Sequence, residues 1–134
     1  MYLLDTNILS ELVKKNPNNN LIGRLETVPS ASLYTASICV MELRYGALRT
    51  GNPLDLWAKI QERIISKVRI LDFAYKEALK AGEILFELHS VGRPIGIEDI
   101  MIGSIALSNG LVVVSANTKH FSRIPELAVD NWLL

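Results

Sequence analysis

Two rhythms of apolar and polar positions take turns along this chain. Tyr2, Leu3 and Leu4 make a short unbroken apolar run, as a strand covered on both faces does, and Val68 to Leu71 and Leu111 to Val114 repeat it. Ser32 to Thr35 and a segment near Leu127 to Val129 read as two further strands. Between them the spacing turns helical. Thr6 or Asn7 can cap a helix through about Lys14, which Asn16 to Asn20, with Pro17 among them, brings to an end. A second short helix covers 20–27. Ser37 can cap a third through Leu48, with an apolar stripe of Ile38, Met41, Tyr45 and Leu48, before Thr50, Gly51, Asn52 and Pro53 close it. Helical spacing resumes from Leu54 to Ile65, from Tyr75 to Leu88, and over about 98–108 after a loop carrying Gly92, Pro94 and Gly96.

Strands alternating with helices predict a mostly parallel sheet covered on both faces, a three-layer α/β/α sandwich, and nothing in the pattern divides residues 1–134 into more than one domain. A chain of 134 residues buries roughly two thirds of the surface its unfolded form exposes, so a single core suffices. In such sheets ligands bind beyond the carboxyl ends of the strands. Asp5, the turn from Thr35 to Ser37, and Ser115 to Asn117 all fall at those ends.

Composition narrows the chemistry. Lys plus Arg number 14 and Asp plus Glu number 14, so no global basic field marks a nucleic-acid binder and any anion site must be local. The single cysteine, Cys39, sits between Ile38 and Val40; it excludes an internal disulfide framework or a multi-cysteine zinc site, and reads as a buried, inert thiol. No apolar run approaches the roughly 20 residues of a membrane span, and the N-terminus lacks a basic-then-apolar signal, which predicts a cytoplasmic protein with no membrane partner.

Three carboxylates stand in apolar surroundings. Asp5 ends the first strand, Glu42 borders the stripe of its helix in ICVMELRYG, and Asp99 opens a helix in GIEDIMIGSIA whose face continues through Ile102, Gly103 and Ala106. Glu11, Glu62, Glu77, Glu83 and Glu87 have polar or basic neighbours at helical spacing and read as solvated surface. Singly, each of the three could be a cap or a surface acid. Converging, they repel unless a cation or proton neutralises them. Oxygen ligands without clustered histidine or cysteine favour Mg²⁺ or Mn²⁺, ions suited to activating water against a phosphodiester.

In this order the motifs resemble the PIN-domain ribonucleases, and among them the VapC-type toxins of bacterial toxin–antitoxin pairs. The likeness runs through LLDTNILSEL, TASICVMELRYGA and RPIGIEDIMIGSIALSNGLVVVSANTKHFSRIPELAVDNW, nearly the whole chain. It implies a metal-dependent endoribonuclease in which Asp5, Glu42 and Asp99 bind Mg²⁺ or Mn²⁺ and act catalytically. It also implies an RNA substrate, with transfer RNA a common class, a cognate VapB-type antitoxin and a homodimer. If the antitoxin lies in the site as in that family, an apolar groove is expected beside the acids, built from the first helices and the helix of Tyr45 and Leu48. Periodicity does not choose between Asp99 and its neighbour Glu98; the resemblance chooses Asp99. Thr6, Asn7, Ser37, Ser115 and Asn117 are candidates to orient the metal-binding acids. His120, Glu98, Arg93 and Lys119 are candidates for substrate contact or proton transfer. One departure stands out. The family usually shows Thr where this chain has Ser115 and a further acid two or five positions later, where this chain has Asn117 and His120. One negative charge is lost, leaving three carboxylates for one ion. Two other readings remain open: a PIN-like module that holds RNA or protein without cutting, and a phosphoacceptor receiver domain. The first rests only on the missing acid. The second lacks paired acids closing the first strand.

Overall fold

The computed structural model describes residues 1–134. Its centre is one parallel sheet of five strands, β1 (Tyr2–Leu4), β2 (Leu33–Ala36), β3 (Arg69–Leu71), β4 (Val112–Val114) and β5 (Val129–Asp130), in the order β3-β2-β1-β4-β5. Seven helices cover it: α1 (Thr6–Glu11), α2 (Asn19–Thr27), α3 (Ser37–Leu48), α4 (Pro53–Arg63), α5 (Tyr75–Ser90), α6 (Ile97–Ser108) and α7 (Thr118–Phe121). This is the α/β/α sandwich that the alternating pattern predicts.

Strand order reverses at β1, which pairs with β2 on one side and β4 on the other, so the crevice used by ligands in such sheets opens between the carboxyl ends of β1 and β4. Leu3 faces Val113 and Leu4 faces Val114 across that pair. All four are at most 1% exposed, as strands covered on both faces should be. Trp132 closes one side of the core, its ring meeting Tyr2 edge-on at 4.8 Å, and Arg24 lies 5.0 Å from its centroid. Trp57 packs half-buried under Arg44, so both tryptophans serve the fold.

Several local expectations are corrected. Neither Thr6 nor Asn7 caps α1; Asp5 does, its Oδ1 accepting the Thr6 amide. Helix α1 stops at Glu11, short of Lys14, because successive amides from Leu12 to Lys14 bond three residues back and Glu11 takes both Lys14 Nζ and the Asn18 amide. Asn18, whose side chain accepts the Leu21 amide, caps α2. Ser37 is the first residue of α3 and makes no capping bond; the cap position belongs to Ala36. The buried face of α3 is Ile38, Cys39, Leu43 and Ala47, while Met41, Tyr45 and Leu48 of the expected stripe are each more than half exposed. A helix apolar on several sides carries no single stripe that pattern can pick out. Glu77, read as solvated surface, is 2% exposed: it accepts the Ala74 amide at the start of α5 and the Asn109 side chain after α6.

Candidate metal centre

The site is built where β1 ends. The Asp5 amide donates to the Val114 carbonyl at 2.9 Å, one step beyond the last paired residue of β1, and then the chain turns into α1. That turn carries the Asp5 side chain over the crevice while burying it to 5% exposure. A carboxylate there needs donors, and four are present. Oδ1 accepts the Thr6 amide at 2.8 Å and the Cys39 thiol at 3.9 Å; Oδ2 accepts the Ser115 hydroxyl at 2.7 Å and the Asn7 side chain at 3.2 Å.

Glu42 and Asp99 arrive from separate helices. Glu42, half-buried in the middle of α3, takes the Thr6 hydroxyl on Oε1 at 2.8 Å. Asp99, in the first turn of α6, takes Asn117 Nδ2 at 3.0 Å and His120 Nδ1 at 3.2 Å, both on Oδ2. Glu42 Oε2 and Asp99 Oδ1 are left without protein donors. The segment after β4 is tied to the same network: the Ala116 amide donates to Asn7 Oδ1 at 3.0 Å, and the Asn117 amide to Ser115 Oγ at 2.9 Å.

Electrostatics follow from this crowding. Burial raises the Asp5 carboxyl above its ordinary range; the Ser115 and Thr6 hydrogen bonds oppose that, and the Asp99 charge adds to it. Glu42 is raised by burial, lowered by its Thr6 bond, and raised again by the charges of Asp5, Glu98 and Asp99. Burial, then the Asp5 charge, pushes the Cys39 thiol up to about 11. Two acids held above their ordinary range first by burial and then by neighbouring negative charge form a place where a cation offsets both. One ligand atom each from Asp5, Cys39 and Glu42 lies within 4.8 Å of the others. Because the thiol keeps its proton, the donor set is carboxylate oxygen, which suits a hard divalent ion.

Of the residues singled out from sequence, Thr6, Asn7, Ser115, Asn117 and His120 bond the three acids or each other. Glu98 is exposed and acts on Glu42 through its charge. Ser37 is not brought into the network, and Arg93 and Lys119 are exposed without side-chain partners. Cys39 was the contact that sequence reasoning missed. It stands one helical turn before Glu42, a spacing that puts both on one face of α3.

A model of the PIN domain matches residues 2–127. The chain belongs to the PIN domain family. Ribonuclease VapC2 of Haemophilus influenzae is 36% identical over 132 residues, 98% of each chain. The tRNA(fMet)-specific endonuclease VapC of Salmonella typhimurium is 35% identical over 131 residues, covering 98% of this chain and 97% of that one. Among solved structures, VapBC2 from Rickettsia felis bound to a DNA fragment from its promoter superposes with a TM-score of 0.89 at 32% identity, over 98% of both chains. As a PIN domain with VapC relatives along its whole length, the chain is a ribonuclease of the toxin–antitoxin type, and the receiver-domain reading falls. No helix of this PIN domain is long and apolar enough to cross a membrane.

Proposed function

We propose that Asp5, Glu42 and Asp99 hold Mg²⁺ or Mn²⁺, and that this cytoplasmic, single-domain chain is the endoribonuclease toxin of a VapBC-type pair. The observation that carries this is that Asp5 and Glu42 bring ligand atoms within 4.8 Å of one another at the strand-end crevice, while Asp99, outside that close group, lies near enough for its charge to act on both; Glu42 and Asp99 each keep an oxygen free of protein donors. A divalent ion bound there supplies Lewis acidity toward water and the scissile phosphate. The chain's own residues prepare the place. Thr6 joins the first two acids, donating its amide to Asp5 and its hydroxyl to Glu42, so that one residue sets their relation. Ser115 and Asn7 hold Asp5 as an anion against its burial. Arg93 and Lys119, both exposed, are free to meet the RNA backbone. Transfer RNA is the proposed substrate class, by likeness to relatives named for that activity.

The partner reading has a surface to match. A groove of about 660 Å³ runs beside α1 and α2 to the end of α4, floored by Leu4, Leu9, Leu12 and Leu25, with Arg63, Lys67 and Arg69 at its margin. Leu4 and Leu9 of its lining come from the strand and helix that flank Asp5, while Ala31, Leu33, Val68 and Arg69 set the rest at the amino ends of β2 and β3. The first helices build it as expected, but none of the three acids lines it, and the end of α4 takes the place expected of Tyr45 and Leu48. Those two side chains lie exposed on α3 with Met41 and are the surface proposed for a second copy.

The test is cleavage of total cellular RNA by wild type, Asp5→Ala and Asp99→Ala with Mg²⁺, Mn²⁺ or EDTA. Discrete products from wild type alone, lost in EDTA, are expected. Full activity in either variant would overturn the site assignment, and no cleavage by wild type under any condition would make the chain a binding module.

A further inference from the structure

Asp99 is held in an unusual way. Asn117 Nδ2, His120 Nδ1 and Asp99 Oδ2 form a triangle with sides of 3.0, 3.2 and 3.0 Å. A ring nitrogen lone pair aimed at a carboxylate oxygen at 3.2 Å would be repelled, and on that ground the proton is assigned to Nδ1, from which His120 donates to Asp99. Asn117 donates to the same oxygen. The 3.0 Å approach of Asn117 to His120 is then between two donors, tolerated because both point at one anion. All the protein's hydrogen bonds to Asp99 go to Oδ2. The Asn117 backbone amide, through Ser115 Oγ, also connects this triangle to Asp5.

We propose that Asn117 and His120 are positioning residues that fix the Asp99 carboxylate by one oxygen, present the other to the ion, and restrict the centre to a single divalent ion. The inference rests on the reading of Asp5, Glu42 and Asp99 as the metal centre. Two neutral donors stand where acids would attract more positive charge. An anchored carboxylate loses less freedom when it binds an ion, so the donors raise affinity without contacting the metal. Replacing Asn117 by Asp would set a second carboxylate about 3 Å from Asp99 Oδ2, a pair that needs a cation between its members.

Titration of the purified full chain with Mn²⁺, following the free-ion signal by electron paramagnetic resonance, counts bound ions and gives Kd without reference to cleavage. Wild type binds one ion per chain. Asn117→Ala and His120→Ala each bind it about tenfold more weakly. His120→Asn, which keeps a donor at the Nδ1 position, recovers the wild-type Kd, and Asn117→Asp binds two ions. Two ions in wild type, unchanged Kd in both alanine variants, or one ion in a folded Asn117→Asp overturns the proposal. Circular dichroism establishes folding; if Asn117→Asp does not fold, the alanine and asparagine variants decide. Asp5→Ala separates the levels: wild-type binding by that variant defeats the metal-centre reading itself, whereas lost binding there with unaffected alanine variants defeats only the role of Asn117 and His120.

Discussion

Ser115→Ala removes one oxygen from the fully buried junction between β4 and Asp5. Three interactions end with it: the 2.7 Å hydroxyl bond to Asp5, and the bonds that Ser115 Oγ accepts from the Asn117 amide and the Asn7 side chain. A hydrogen bond to a charged group contributes about 1.5–3 kcal/mol and each of the two neutral ones about 1 kcal/mol, so the expected loss is about 4 kcal/mol. With about 2.1 cal/mol/K of unfolding entropy per residue over 134 residues, that lowers Tm by about 14 °C. The loss depends on pH, with a definite sign. Ser115 lowers the Asp5 pKa, so its removal lifts that pKa further above the ordinary 3.8 and the folded variant keeps its proton to higher pH than wild type. In acid, where Asp5 is protonated in both proteins, the deficit is therefore reduced to the part owed to the two neutral bonds, and it grows to its full size as pH rises through the Asp5 range. Thermal unfolding in EDTA from acid to neutral pH measures it. A deficit that does not change with pH, or one below about 3 °C at neutral pH, would refute the account of Ser115 as the donor that keeps Asp5 charged.

Other outcomes follow from the same site and its surroundings. In EDTA the wild type loses stability as pH rises from below the ordinary carboxylate range, because Asp5 and Glu42 hold protons more tightly folded than unfolded; Mn²⁺ at a hundredfold excess over Kd restores about 2.7 kcal/mol, and Asp5→Ala loses that gain, all visible in Tm. Glu77→Ala leaves the Ala74 amide and the Asn109 side chain without their acceptor, which lowers stability by about 1–3 kcal/mol in urea unfolding while RNA cleavage below the transition stays at wild-type rate. Ile22→Glu puts a charge in the apolar groove; it should weaken inhibition by the cognate antitoxin at least tenfold in a cleavage assay and leave uninhibited cleavage unchanged.

The layered sheet was legible because β1 and β4 are unbroken apolar runs, and few other structures accept such segments in a chain of this length. Asp5 and Glu42, whose ligand atoms the fold brings within 4.8 Å, stood out in the sequence by their apolar settings and motif order. What sequence left open was set by contacts distant along the chain. The buried side of α3 depends on neighbours that meet Ile38, Cys39 and Leu43 only after folding. Glu77 has basic neighbours in sequence, and the bond that buries it comes from Asn109, 32 residues away. Asn117 and His120 could be named but not oriented, because their shared target is Asp99, on another helix.

The bond between Ser115 and Asp5 joins residues 110 positions apart, and β4 completes the central pairing of the sheet only at Val112 to Val114. During synthesis, then, Asp5 emerges early and waits, without its strongest donor, until most of the chain has followed. Contacts of such long sequence separation form late. A ribosome making this protein therefore carries no assembled nuclease until nearly the end of translation, and a chain cut short before Ser115 is released without the network that holds its first acid. For an enzyme whose substrate is RNA, the topology itself delays the hazard until a whole molecule exists.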